Sequence, residues 1–358
     1  MSHSNLDLSE LNTAVGRVFM AGMPGPTMDP LTEKLIRDHG LGGIILFSRN
    51  IEDPVQIATL CRDLQALALS SRGIPLFMAV DQEGGRVARL REPFTRFPGN
   101  QAIGEAEDPL KAAEEFADVT AREMALVGLN MNMAPVVDVP MGEPEDHLKS
   151  RTFGDDPRQV SRLGQQVVRT LQKNGIMAVA KHFPGLGKAP LDPHHQLPFI
   201  DVDEAEMETV NLPPFKGAIE AGVSAVMSSH AIYPAVDPDT PATLSQSVIE
   251  GILRKKLGFD GLVITDDLEM GAIKKKWGVV DGAVRAFEAG CDILLICEDQ
   301  QMVLESMAAL KSRLLKGEIP TTRLHAAIKR INTAKARFLR DRPDIQPEQV
   351  TAYFQNKV

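Results

Sequence analysis

Charged and imidazole side chains follow short apolar runs at widely separated points of this sequence. The residues concerned are Asp81, Asp138, Lys181, His182, His230 and Asp266. Parallel strands that end at one face of a barrel bring such residues together, so the pattern predicts an active site built from several strand ends. Carboxylates, an ammonium group and imidazoles in one site are suited to acid/base or nucleophilic chemistry on a polar ligand.

A second candidate lies in the Pro- and Gly-rich stretch 181–195, which we expect to form a long loop over the strand ends. Asp192 and His194 are two residues apart in this stretch, so both side chains can face one cavity. A carboxylate beside an imidazole orients the ring and biases its protonation, which makes a general acid/base unit. The alternative is a surface loop in which Asp192 serves only as a turn former. His195 is expected to face solvent.

The elements that must position these residues are eight short apolar runs separated by longer amphipathic stretches. The runs are 16–23, 42–47, 76–80, 130–137, 177–180, 224–227, 262–264 and 292–296. They lack polar alternation, as expected for strands buried on both faces of a parallel sheet. Alternation with helices predicts a single (β/α)8 TIM barrel, with a doubly wound sheet as the alternative.

The helical spacing is clearest in four of the intervening and following stretches, namely 110–127, 157–174, 279–289 and 321–338. No interior stretch reads as a linker between domains. We therefore expect one catalytic barrel domain over residues 1–342 and a loosely packed, polar C-terminal tail over residues 343–358.

The amino-acid composition limits the classes of partner that the protein is expected to bind. The chain has 39 Lys and Arg against 48 Asp and Glu, and its densest basic run is 274–276, which argues against nucleic acid. Aromatic residues make up 5%, which favours a small ligand held by polar groups.

Three cysteines form no disulfide framework, and buried reduced thiols are expected. The N-terminus does not resemble a secretory signal, and no run reaches the ~18 apolar residues of a membrane span. These features predict a cytoplasmic protein without membrane contact.

The stretch 181–187, KHFPGLG, followed after four residues by Asp192 and His194, resembles a known signature. It is similar to KHFPGHG-(x)4-D-S-H of the glycoside hydrolase family 3 β-N-acetylglucosaminidases. Further segments resemble the same family in the same order, namely 81–87, 131–139, 150–154, 226–230, 241–245 and 257–270. Two positions depart from the signature: Leu186 stands for the second loop histidine, and Pro193 stands for the serine.

The resemblance implies a one-domain barrel enzyme, a retaining exo-β-N-acetylhexosaminidase that removes terminal N-acetylglucosamine. It implies Asp266 as the nucleophile, His194 as the acid/base and Asp192 as its partner. The positions that hold the sugar are implied to be Asp81, Arg151, Lys181, His182 and Met227. The implied partner is a small carbohydrate, expected to be a cell-wall muropeptide fragment. The enzyme itself is expected to be a monomer that needs no cofactor or metal.

Four alternatives stay open. An enzyme of the family's β-glucosidase or phosphorolytic type would use the same site on another sugar or acceptor. A substrate-assisted hexosaminidase would use the pair Asp266-Asp267 to orient the acetamido group, although neighbouring strand residues tend to point to opposite sides. A metal-dependent hydrolase would recruit the histidines and aspartates as Zn²⁺ ligands. A catalytically silent sugar-binding barrel is the fourth alternative.

Overall fold

A closed eight-stranded parallel barrel forms the centre of the protein in the computed structural model, which describes residues 8–142, 148–189, 192–340, 342 and 344–357. Its strands are β1 Phe19–Ala21, β2 Gly43–Leu46, β3 Phe77–Val80, β4 Met131–Asn132, β5 Met177–Phe183, β6 Ala225–Ser228, β7 Leu262–Thr265 and β8 Leu294–Ile296. Each strand pairs with the next in chain order, and β8 pairs with β1. The barrel closes between β7 and β8, where the Thr265 N–H donates to the Ile293 carbonyl at 3.0 Å. The predicted (β/α)8 barrel is confirmed.

Several of the helices that cover the barrel begin at an aspartate that caps them. Asp53, for example, accepts hydrogen bonds from the N–H groups of Val55 and Gln56, and Pro54 occupies the first helical position. The longer helices are Leu8–Arg17, Pro30–Arg37, Pro54–Arg72, Pro109–Leu126, Pro157–Lys173, Leu212–Glu220, Ser247–Lys256, Val279–Ala289, Gln300–Leu315, Thr321–Phe338 and Pro347–Gln355. Shorter helical segments include Asn100–Gly104, Glu204–Glu206, Met207–Asn211 and Gly271–Lys274.

All eight predicted strands and all four predicted helices are found at the expected places. One boundary differs in a way that matters for the site. Strand β5 continues to Phe183, so Lys181 and His182 lie inside the strand and not in the loop that follows it. Their side chains are therefore positioned by the sheet, which is more rigid than a loop.

The expectation of a loosely packed C-terminal tail is wrong for residues 347–355. This segment is a helix that packs against Pro54–Arg72, and it buries Val350 and Phe354. The ring of Phe354 meets that of Phe94 edge-on, with 4.7 Å between centroids. Apolar residues at helical spacing within a mostly polar stretch were sufficient to dock it on the barrel.

The three cysteines, Cys61, Cys291 and Cys297, are free and buried, as expected. Throughout the part of the chain that the structure describes, no helix is both long and apolar enough to span a membrane.

Candidate active site

A cavity of about 300 Å³ opens at the carboxyl ends of the barrel strands. It brings together most of the residues that the sequence singled out. Its polar wall consists of Asp81, Glu83, Arg89, Arg151, Lys181, His182, His194, Asp266, Asp267 and Glu298. Its apolar wall includes Met227, Phe47, Met270 and Cys297. Asp192 joins the site through its contact with His194.

Lys181 is the centre of a buried charge network on one side of the cavity. Its Nζ donates to Asp81 Oδ1 at 2.8 Å and pairs with Glu83 Oε1 at 2.7 Å. Arg151 binds the Glu83 carboxylate with both Nε and Nη2, at 2.8 and 2.9 Å. Arg89 Nη2 reaches Asp81 Oδ2 at 3.3 Å. Three cations thus surround two carboxylates, and their mutual contacts restrain these five side chains.

The charge network keeps its members ionised. Burial alone would raise the pKa of Asp81, but Lys181 and Arg89 outweigh it and hold the pKa below its ordinary value. Burial likewise opposes ionisation of Glu83, yet Arg151 and Lys181 push the Glu83 pKa far below the ordinary range. The pKa of Lys181 is raised because Asp81 and Glu83 overcome the effect of burial. The wall therefore presents fixed charges to a polar ligand.

His182 is held by Asp138, whose role the sequence did not reveal. The Nδ1–H of His182 donates to Asp138 Oδ2 at 2.7 Å. The other carboxylate oxygen of Asp138 accepts the N–H of Leu186 at 2.7 Å. This contact leaves Nε2 as the ring nitrogen that can meet a ligand. Because Leu186 contributes through its backbone N–H, this hydrogen bond does not depend on the side chain at position 186.

Asp266 and Asp267 follow β7, and both contribute to the lining of the cavity. Burial alone would raise the pKa of Asp266, but the nearby imidazoles of His182 and His230 and the Asp267 N–H hold it below its ordinary value. Asp267 Oδ1 accepts the N–H groups of Glu269 at 3.1 Å and Cys297 at 3.3 Å. Burial nevertheless raises the pKa of Asp267 to about 7.

His230 supports the segment that contains this pair. Its Nε2 contacts the backbone carbonyl of Asp267 at 2.9 Å, and its Nδ1 contacts Thr243 Oγ1 at 2.8 Å. Burial lowers the pKa of His230. Because a carbonyl oxygen can only accept, Nε2–H is the donor, and His230 thereby supports the backbone next to Asp266.

The Asp192–His194 pair lies at the mouth of the cavity. His194 Nδ1 contacts Asp192 Oδ1 at 2.6 Å, and the His194 N–H donates to the same oxygen at 3.0 Å. The His194 side chain is 60% exposed. His195 is exposed, as expected, whereas Pro193 is buried. Gly187 is required for close approach, because a Cβ there would stand 1.6 Å from the Val139 carbonyl oxygen.

Three charged residues of the polar wall were missed from the sequence, Glu83, Arg89 and Glu298. Glu83 belongs to a hairpin beyond the end of β3, formed by Gln82–Gly84 and Val87–Ala88, and Arg89 directly follows the second strand of this hairpin. The acidic and basic types in the stretch after Asp81 were the available signal. No group of three or more His, Cys, Asp or Glu side chains suited to a metal ion occurs among the described residues.

Comparison with known proteins gives a consistent result. Residues 10–334 match the model of the glycosyl hydrolase family 3 N terminal domain. The chain is 37% identical to a β-hexosaminidase of Nitrosomonas eutropha over 82% of this chain and 84% of that protein. It is 39% identical to a β-hexosaminidase of Thiobacillus denitrificans over 77% of this chain and 76% of that protein. A solved family 3 β-N-acetylglucosaminidase from Paenibacillus superposes with a TM-score of 0.90 at 38% identity, covering 98% of this chain and 68% of that one.

Proposed function

This chain belongs to glycosyl hydrolase family 3, and we propose that it is a β-hexosaminidase that cleaves its substrate as follows. It removes terminal β-linked N-acetylglucosamine with retention, through a covalent ester on Asp266 and with His194 and Asp192 as the acid/base pair. The observation that carries this proposal is that Asp266 and His194 line one small cavity beside a rigid charge network.

In the first step, the Asp266 carboxylate attacks the anomeric carbon while the bond to the leaving oxygen breaks. His194 gives its proton to that oxygen, so the aglycone leaves as an alcohol. The lowered pKa of Asp266 supports this role because the carboxylate is ionised near neutral pH. General schemes for retaining glycosidases use two carboxyl groups, and here a histidine takes the place of the second.

In the second step, water attacks the anomeric carbon and gives a proton to His194, while the bond to Asp266 breaks. The 2.6 Å contact with Asp192 supports both steps, because Nδ1–H donation to the carboxylate leaves Nε2 to exchange the proton. A neutral imidazole adds no negative charge near the ionised Asp266. The neutral ring does not repel anions, so either water or an anionic acceptor such as phosphate can approach the anomeric carbon.

The sugar is held by Asp81, Arg151, Lys181, His182 and Met227, to which the geometry adds Arg89. A volume of about 300 Å³ lies at the small end of ligand pockets, which supports cleavage of one terminal residue at a time. Fixed carboxylates and cations offer acceptors and donors to the hydroxyl and acetamido groups. We propose a cell-wall muropeptide fragment as the natural substrate, as the family resemblance implies.

One set of assays tests the proposal. Aryl β-glycosides of N-acetylglucosamine and glucose, and an N-acetylglucosaminyl-anhydromuramyl fragment, are incubated with and without phosphate, and the anomer of the first product is read by NMR. We expect the β-anomer, a preference for the acetamido sugar, and efficient cleavage of the muramyl fragment. An α-anomer as first product would exclude retention, and a glycosyl phosphate would identify phosphorolysis.

A further inference from the structure

The loop that carries Asp192 and His194 is docked on the segment that follows Asp266 and Asp267. The Gly271 N–H donates to the His194 carbonyl at 3.0 Å. The Ala272 N–H donates to the Pro193 carbonyl at 3.2 Å. Lys275 Nζ donates to the His195 carbonyl at 2.8 Å. Three consecutive carbonyls of the dyad loop are thereby bound by one short stretch of chain.

These carbonyls point the same way because residues 192–196 form a tight turn. The Asp192 carbonyl accepts the N–H groups of His195 at 3.0 Å and Gln196 at 3.1 Å. In such a turn the following carbonyls point out of its far end and need partners elsewhere. Gly271, Ala272 and Lys275 supply those partners.

Gly271 is required here for close approach. A Cβ at this position would lie 2.6 Å from the His195 carbonyl oxygen and 2.9 Å from the His194 carbonyl oxygen. The backbone of Gly271 is outside the left-handed region, so an alanine would meet no conformational strain of its own. The effect of a side chain would therefore be to push the dyad loop away.

The docking segment is itself hydrogen-bonded to Asp267, the residue after the proposed nucleophile. The Met270 N–H donates to the Asp267 carbonyl at 3.0 Å, and the Glu269 N–H donates to Asp267 Oδ1 at 3.1 Å. A short chain of hydrogen bonds thus runs from Asp267, next to Asp266, through Gly271 to His194. The distance between the two proposed catalytic groups depends on this chain.

We propose that Gly271, Ala272 and Lys275 act as a latch that holds the dyad loop closed and positions His194 against the glycosidic oxygen. This inference rests on the proposed role of His194. The latch residues do not touch the sugar; they position the acid/base. With the latch opened, the loop leaves the mouth of the cavity, and steps that need proton transfer slow while those that do not are spared.

The test compares Gly271→Ala and Lys275→Met with two matched controls. Gly251→Ala also adds a methyl group to a helix, at a position where a Cβ meets nothing within 4 Å among the described atoms. Lys274→Met removes an exposed ammonium group from the same short helix. Lys275→Arg restores a donor at the latch.

Two readouts are taken for each variant. Rates on aryl N-acetylglucosaminides with good and poor leaving groups report proton transfer, and hydrogen exchange of the 268–275 peptide reports docking. We expect Gly271→Ala to lose about tenfold or more on poor leaving groups, with less loss on good ones, and to exchange the Gly271 and Ala272 amides faster. Lys275→Met should show the same pattern more weakly, and Lys275→Arg should recover most of it.

The outcomes separate the latch from the proposed function. If His194→Ala shows the leaving-group dependence and both latch variants retain wild-type rates and exchange, the latch is wrong and the acid/base assignment stands. If His194→Ala shows no such dependence, the acid/base assignment fails, and exchange alone then decides whether these residues dock the loop. If Gly271→Ala does not fold, the exposed Lys275→Met variant decides the question.

Discussion

The backbone N–H of Asp267 donates to Asp266 Oδ1 at 2.8 Å, so the Asp266 carboxylate is held by the backbone of the acidic residue that follows it. Their acidities are nevertheless different. The pKa of Asp266 lies below its ordinary value, whereas burial, with the charges of Glu269 and Asp266, raises the pKa of Asp267 to about 7. Near neutral pH the pair offers one charged carboxylate and one that is partly protonated. The charged member is the better nucleophile.

Substitution of the two aspartates should therefore have unequal effects. Asp266→Asn should lower kcat by about 10³-fold or more, because it removes the attacking carboxylate. Asp267→Asn should lose about tenfold or less, since an amide oxygen can still accept the N–H groups of Glu269 and Cys297. A 5-fluoro N-acetylglucosaminyl inhibitor followed by mass spectrometry should label Asp266. An adduct on Asp267, or tight binding of an oxazoline-type inhibitor without any adduct, would favour the substrate-assisted mechanism.

The raised pKa of Asp267 also predicts a pH-dependent stability difference. A carboxyl whose pKa rises on folding from 3.8 to about 7 stabilises the protein fully below about pH 4 and loses that contribution up to about pH 7. Asp267→Asn cannot lose it, so the variant's free energy of unfolding relative to wild type should increase across this window, by up to about 1.4 kcal/mol per pH unit. Urea unfolding at pH 5 and pH 7 measures this difference. The exposed Asp260→Asn variant is the control, and an equal pH trend in both variants would contradict the prediction.

Glu83 should contribute to stability with the opposite pH dependence. Its pKa is lowered from 4.5 on folding, so its contribution is present above that value and is lost as the pH falls below it. Glu83→Gln leaves the buried Arg151 and Lys181 undercompensated and should cost about 3 kcal/mol near neutral pH. The deficit should shrink in acid. Glu298→Gln breaks an exposed pair with Arg49 and should cost less than about 1 kcal/mol; similar losses in both variants, measured by urea unfolding, would argue against a special role for Glu83.

Much of this architecture was accessible from the sequence because it depends on local patterns. The runs that became β1 to β8 are mostly apolar and lack strict polar alternation, which favours strands buried on both faces. Polar residues directly after such runs, such as Asp81 and Asp266, could be placed at one end of the barrel without knowing any distance.

What the sequence could not predict depends on contacts between distant segments. Glu83 lies in a hairpin that follows β3, whereas its partner Arg151 lies in the long connection that follows β4. The sequence identified Asp138 as a strand-end residue. Its hydrogen bond to His182 could not be predicted, because it depends on how β4 and β5 are aligned. The docking of His194 on Gly271 likewise joins a loop to the start of a short helix, and the separate sequences of these segments give no sign of the contact.

The charge network around Lys181 predicts strong selectivity for the acetamido sugar. If the wall groups are paired only by N-acetylglucosamine, a glucoside leaves some of them unsatisfied, at about 1–3 kcal/mol for each buried group. We expect kcat/KM for the aryl glucoside to be at least about tenfold lower than for the aryl N-acetylglucosaminide. The two substrates must carry the same leaving group, so that only the sugar differs. Comparable kcat/KM values would mean that the network is structural and does not read the 2-substituent.

The contact between Asp192 and His194 predicts a leaving-group dependence that identifies the acid/base. His194→Ala should slow substrates with poor leaving groups by about 10²- to 10⁴-fold, while an activated aryloxide, which needs little protonation, should be affected less. Asp192→Ala should show a smaller effect of the same kind, because the ring loses the hydrogen bond at 2.6 Å that orients it. Azide should partly restore turnover of activated substrates by His194→Ala and yield a glycosyl azide, since this anion attacks the ester without a base. The exposed His195→Ala variant is the matched control and should resemble wild type. Equal losses on good and poor leaving groups, with no azide product, would exclude His194 as the acid/base.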